Sequence, residues 1–379
     1  MSQTLFRKII FSILFLLSVN SFSQYYRLSP EAKISILTCG SGSELYSIYG
    51  HTAIRFTDPK NGLDVVVNYG NFDFNTSNFY VKFVKGDLQY FAAACSYSDF
   101  MQEYIETNRE VFEQNLLINE FQKQKLFDEI NTSLYTNERY YTYKFIDKNC
   151  TTMVLDKVNS VFGKAIVYKK SNTNVSYRTV LYSYLDNHFF ENLGINIIFG
   201  AKTDALATKL FLPKELMDNL ADSKNNKNSI VEKAIVLNKK NNMSSEFSWW
   251  NNYYFFCAFF ALIIFIKKEK ISLVYLSILG LMGVFLFAVG FYSLHHEVTQ
   301  NYNMLLFNPS LLLLIFFYLK KNNKWISNLV YLNLASILIY ILLIINKVDF
   351  VMMLPFIITS GFILVQFLLK SKKLLSSVK

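Results

Sequence analysis

What this chain lacks first is a basic patch. It carries a net charge of +10, with 38 Lys+Arg against 28 Asp+Glu, yet residues 24–247 balance at 25 of each sign. The surplus is Arg7 and Lys8 at one end, and 11 Lys against 3 acids after Phe247. Nucleic-acid binding needs Lys/Arg gathered on a folded domain, so a nucleic-acid partner is excluded. No internal repeat or low-complexity tract is present. Metal ligands are sparse as well. His295 and His296 are adjacent, so they point to different sides of a helix, and no third ligand is suitably spaced; neither metal nor cofactor is expected. Cysteine is limited to Cys39, Cys95, Cys150 and Cys257. Outside the cell membrane Cys39 and Cys95 could pair and leave Cys150 as the free thiol, and four unpaired cysteines are equally open.

Long apolar runs are what the sequence does have. Residues 1–23 read as a signal peptide: Arg7-Lys8, an apolar core Ile9–Val19 and small residues Ser21-Phe22-Ser23. Eleven apolar residues are too few to span about 30 Å of hydrocarbon, so removal is expected, a retained anchor being the alternative. No Cys follows the cleavage site, so the chain is not itself read as a lipoprotein. After Phe247 five apolar segments follow: Trp249–Ile266, Ile271–Leu294, Met304–Leu319, Ile326–Ile345 and Phe350–Leu369. The junctions alternate, with ten Lys on one side and only Lys347 on the other. The positive-inside rule makes the ten cytoplasmic. An odd number of spans then puts residues 24–247 outside, in agreement with the signal peptide. The expected organisation is signal peptide 1–23, periplasmic catalytic domain 24–220, linker 221–247, five membrane helices over 248–370 and a cytoplasmic tail 371–379.

Within the exported half, Lys33–Thr38, Thr52–Thr57 and Asp64–Tyr69 alternate like strands. Pro59-Lys60-Asn61-Gly62 is turn chemistry and predicts a hairpin. Centred at Lys60-Asn61, that hairpin sets His51 opposite Gly70 and puts Asn68 on the same face; a one-residue slip would substitute Tyr69. Phe79–Phe91 reads as a strand pair broken at Gly86-Asp87, and Tyr140–Ile146 as a strand. Helices are predicted over Ser98–Asn108, from an Asn119/Gln122 capping box to Leu134, and from Thr151 to Gly163.

Two segments carry reactive groups, Gly50-His51-Thr52-Ala53-Ile54-Arg55-Phe56 and Asp147-Lys148-Asn149-Cys150-Thr151-Thr152. A Cys at a helix start is where thiolate is most readily stabilised, and a neighbouring imidazole completes the minimum for acyl chemistry. The structural alternative, a buried Cys150 and a satisfied core His51, is also open. His188 lacks such a setting and reads as a surface residue.

At these residues the sequence resembles the Lnb-type lipoprotein N-acyltransferases of Gram-negative bacteria. The resemblance runs through Leu37-Thr38-Cys39-Gly40, Tyr49–Arg55, Asn68-Tyr69-Gly70-Asn71-Phe72-Asp73-Phe74, Phe79–Phe83, Gly86–Tyr90, Glu138–Tyr143 and Asp147–Thr152, and less specifically through Asn301-Tyr302-Asn303 and Asn308-Pro309. It implies an α+β, permuted papain-like (NlpC/P60-like) exported domain with His before Cys, followed by an all-α membrane domain of about five helices. It further implies Cys150 as nucleophile and His51 as base; it does not fix the third member, for which the hairpin register offers Asn68 or Tyr69. Asn149, Arg55, Tyr143, His296 and Asn303 become candidates for substrate contact. The implied partners are a membrane phospholipid as acyl donor and a diacylated lipoprotein as acceptor, at a bacterial inner membrane. Two other functions are compatible with the residues: a membrane-anchored cysteine peptidase or amidase acting on cell-wall peptides, and a non-enzymatic membrane assembly protein.

Overall fold

The computed structural model describes residues 26–171, 173–186, 188–241 and 248–376; the signal-peptide stretch lies outside them. Alternating side chains build the first half around one antiparallel sheet. Its strands are β1 (Lys33–Cys39), β2 (His51–Asp58), β3 (Leu63–Asn71), β4 (Gln89–Ser96), β5 (Val111–Asn115), β6 (Tyr140–Thr142) and the edge strand β9 (Ile235–Asn238), in spatial order β6-β4-β3-β2-β1-β5-β9. Two-residue strands β7 (Lys224–Asn225) and β8 (Asn228–Ser229) form a separate hairpin. Residues read as a linker therefore hold a hairpin and close one edge of the sheet. The Asn- and Lys-rich residues around it hide β9, a strand of only four residues, Ile-Val-Leu-Asn.

Helices cover both faces. Along β2, Ile54 and Phe56 face one way and Ala53 the other, the period-2 signature of a sheet buried on both sides. On the first face lie α3 (Glu120–Tyr135), α4 (Cys150–Phe162) and α7 (Pro213–Ala221), which bring Leu126, Ile130, Val154, Val158, Leu216 and Leu220 into one core. On the second, α2 (Tyr97–Glu106) packs Phe100, Met101 and Tyr104 over Leu37, Ala53 and Val66. The Asn119/Gln122 capping box opens α3 as expected, and Gly163, at φ 66°, stops α4. One expected strand pair is different: Phe79–Lys85 is a helix, α1, and only Gln89–Ser96 is a strand. The expected strand at Tyr140–Ile146 ends at Thr142.

Short helices α5 (Tyr177–Tyr182) and α6 (Phe189–Ile198) lead to the membrane half. There α8 (Tyr253–Ile266), α9 (Glu269–Tyr292), α10 (Ser310–Leu319), α11 (Asn323–Ile344) and α12 (Phe350–Ser376) share one apolar core. Among the described residues, four stretches are long and apolar enough to cross a bilayer: Glu269–Tyr292, His296–Leu319, Asn323–Ile344 and Phe350–Lys373. The fifth expected span is shorter. Asn252 caps α8 by accepting the Phe255 N–H, so only 14 residues are helical, about 21 Å at 1.5 Å per residue. Pro355 inside α12 removes the N–H that would reach the Val351 carbonyl. The Tyr253 hydroxyl of α8 donates to that carbonyl instead, at 3.0 Å.

The two halves are joined by the segment between α9 and α10. Asn301 Nδ2 donates to the carbonyls of Ile197 and Ile198 at 2.8 and 2.9 Å, and Asn303 Nδ2 to those of Asn196 and Ile197, both at 2.9 Å. These are the carbonyls that the end of α6 leaves without a helical partner. Tyr340 of α11 donates to Asn303 Oδ1 at 2.7 Å.

Candidate active site

His51 opens β2, directly across from Cys39 on β1. The β2–β3 register pairs Asp58 with Leu63 and Ala53 with Asn68, the expected hairpin without a slip. Asn68 Oδ1 lies 3.1 Å from His51 Nε2. A carbonyl oxygen only accepts, so Nε2 carries the proton of that bond. The amide is oriented by its other end, whose Nδ2 contacts Cys95 Sγ at 3.5 Å. With Nε2 committed, Nδ1 is the ring nitrogen left for a proton from Cys150. Tyr69, one residue on, points into the opposite core and does not join them.

Cys150 is the first residue of α4 and is partly exposed. Asn149 caps the helix: its Oδ1 accepts the Thr152 N–H at 3.0 Å, and its own N–H donates to Thr152 Oγ1 at 2.8 Å. Asn149 Nδ2 is held by the carbonyls of Phe145 and Phe211 at 2.7 and 2.9 Å. The side chain expected to contact substrate is thus fully used in fixing the turn that presents the thiol. Thr52 Oγ1 meets Thr151 Oγ1 at 3.1 Å, tying the His strand to the Cys helix. Gly70, at φ +97°, sits where β3 shifts register against β4, and a Cβ there would lie 3.9 Å from that of Cys150.

Burial alone would keep the Cys150 thiol neutral. The charge of His51, its hydrogen bond, the Thr52 backbone N–H and the Thr151 hydroxyl outweigh that, and the pKa falls below the ordinary thiol value. Burial likewise opposes the His51 imidazolium, but the charge of Cys150 and hydrogen bonds to Cys150 and Asn68 raise its pKa. Each group favours the ionised form of the other. Cys39, wholly buried, is pushed up to about 12 by burial and is inert by comparison. All four cysteines are free. Cys39 lies on β1 and Cys95 on β4, three strand spacings apart at about 4.8 Å each, well beyond the roughly 7 Å Cα separation a disulfide tolerates.

Tyr143 is buried against Tyr90, ring centroids 4.6 Å apart, close enough to Cys150 to feel its charge. Arg55 is not at the thiol. Its guanidinium is taken by Asp64 at 2.8 Å, Glu113 at 3.2 Å and the Tyr97 ring at 3.3 Å. His296 is exposed at the outer end of the membrane half, and Asn303 is the buried clamp on α6.

Glu297 is the residue that sequence reasoning overlooks. It belongs to the membrane half, is 1% exposed, and accepts the Ile146 N–H at 3.3 Å, four residues before the thiol. Lys202 bridges Glu297, at 3.2 Å, to Asp147. Lys209 also reaches Asp147, at 2.5 Å. Burial would raise the Asp147 pKa, and the two lysines more than offset it. A signal is visible in the sequence: Glu297 is the only acid between His295 and Asn303.

No metal-ligating group of three or more His, Cys, Asp or Glu occurs among the described residues. No curated protein and no solved structure matches the chain. Two family models do: one described as the Lnb N-terminal periplasmic domain matches residues 21–183, and one described as the Lnb transmembrane domain matches residues 252–372. Their order is that of the two halves above, and the chain, a periplasmic α+β domain on a membrane-spanning helical domain, belongs to the Lnb family.

Proposed function

We propose that this protein is a lipoprotein N-acyltransferase working through a thioester on Cys150. The thiolate attacks an ester carbonyl of a membrane phospholipid, forming the C–S bond. The tetrahedral oxyanion is held by the first amides of α4, which have no partner within the helix, and collapses as the bond from the acyl carbon to the glyceryl oxygen breaks. His51 gives its proton to the leaving oxygen, and lysophospholipid departs. The free α-amine of a diacylglyceryl-cysteine then attacks the thioester. His51 takes the amine's proton, the C–S bond breaks, and the products are an amide and the regenerated thiolate.

The observation that carries this reading is the pairing of Cys150 with His51, oriented by Asn68, in a domain bonded to a membrane-spanning half. A wall hydrolase would have no use for a nucleophile loop bonded to membrane helices. We place the site at the outer face of the inner membrane with the C-terminus cytoplasmic, which the Lys distribution supports. Cys150→Ala and His51→Ala, each as sole copy in cells lacking another such enzyme, are expected to leave lipoprotein N-termini diacylated by mass spectrometry. Full N-acylation with either variant would refute the proposal.

A further inference from the structure

Helix α1 is chemically out of place. Five of its seven residues, Phe79, Tyr80, Val81, Phe83 and Val84, are apolar or aromatic, yet it buries none of its residues. Tyr80 is 77% and Val81 64% exposed, and Phe74 in the preceding loop is 66% exposed. A contiguous apolar patch on a soluble surface marks an interaction site. Its position says with what. The Leu294 N–H donates to the Lys85 carbonyl at 2.6 Å, Ser293 Oγ to the Val84 carbonyl at 2.9 Å, and His295 Nε2 meets the Phe83 carbonyl at 3.0 Å. These bonds fasten α1 to the outer end of span α9, whose own exposed Phe291 and Leu294 continue the patch.

From α1 an aromatic tract runs inward. Phe79 packs on Phe72 at 5.8 Å, Phe72 on Tyr90 at 5.4 Å, and Tyr90 on Tyr143 beside Cys150. We propose that α1 and the Phe72–Phe74 loop lie in the outer leaflet of the bilayer and bind phospholipid acyl chains, passing a lipid along Phe79, Phe72 and Tyr90 to the Cys150 thiol. Apolar residues interspersed with Lys82 and Lys85 are the composition of a segment resting among lipid headgroups and acyl chains. The delivery step rests on the acyltransferase reading, whereas the insertion of α1 does not.

The test uses the full chain in phospholipid nanodiscs. The indole introduced by Val81→Trp is expected to emit to the blue and be quenched by lipids brominated on their acyl chains, beyond the quenching of the wild-type tryptophans. Leu117→Trp, exposed past the end of β5 remote from the site, is expected to add none. A Val81→Trp variant quenched no more than the wild type would overturn the insertion. In the second arm, the double variant Tyr80→Asp/Val81→Asp is expected to lower acyl-thioester accumulation from bilayer phospholipid by about tenfold or more, since charge is expelled from an apolar interface. Alkylation of Cys150 by soluble iodoacetamide should be unchanged. Undiminished thioester formation would overturn the delivery route. If the wild type forms no thioester at all, the enzymatic reading fails, and the quenching of Val81→Trp alone decides the membrane surface.

Discussion

Replacing Asn68 by alanine removes one hydrogen bond and little else. Its Oδ1 accepts from His51 Nε2 at 3.1 Å, while its Nδ2 makes only a 3.5 Å contact with Cys95 Sγ. Hydrogen bonds to a charged partner contribute about 1.5–3 kcal/mol, and here the partner is the imidazolium. If the whole of that is lost in the transition state, thioester formation slows roughly 10- to 150-fold. The bond also favours protonated His51, so its loss lowers the His51 pKa and moves the alkaline limb of the rate profile to lower pH. Single-turnover acylation of Cys150, followed by mass spectrometry across pH, reads both quantities. Asn68→Asp keeps an acceptor and adds negative charge, and should instead move that limb to higher pH. Asn68→Ala turning over at the wild-type rate with an unmoved alkaline limb, in protein that melts normally, would refute the orienting role.

Other consequences are quickly stated. Alkylation of Cys150 by iodoacetamide should persist below the pH range of an ordinary thiol, because its pKa is lowered. His51→Ala should push that range upward, since only the Thr52 N–H and the Thr151 hydroxyl then oppose burial, and peptide mapping checks both. In the same experiment Cys39, pushed up to about 12, should stay unlabelled at neutral pH. Glu297→Ala leaves the Ile146 N–H without its acceptor and Lys202 with Asp147 alone; a loss of about 1–3 kcal/mol, read as a lower melting temperature in detergent, is expected together with slower acylation. Gly70→Val forces a β-branched side chain to φ +97°, costing about 1–3 kcal/mol and misplacing the strand beside the thiol.

Much of this can be read from residue order alone, and for identifiable reasons. The hairpin register is legible because Pro59–Gly62 admits one turn and the alternation on either side fixes the faces. The starts of α3 and α4 are legible because Asn119 and Asn149 precede them as caps. Helix α1 reads as a strand because Phe79–Lys85 has the aromatic and β-branched content of one, whereas Gly86 caps it and Ser293 and Leu294 take up the carbonyls of its last residues. Strand β9 escapes notice because its four residues, Ile-Val-Leu-Asn, lie within an Asn- and Lys-rich stretch. Arg55 and Asn303 look available for substrate because ion pairs across strands and clamps between halves leave no trace in a local motif. The first membrane helix is shorter than its apolar run because Asn252 interrupts that run as a cap rather than joining it.

The chain of bonds from Glu297 through Ile146 and Lys202 to Asp147 has a kinetic meaning. It ties the segment before the sulfur to the membrane-spanning half, so under the proposed acyl transfer both substrates arrive by travelling sideways in a two-dimensional fluid. Turnover then responds to molecules per unit area rather than per litre, and diluting the donor with inert lipid, at constant total amount, slows the reaction.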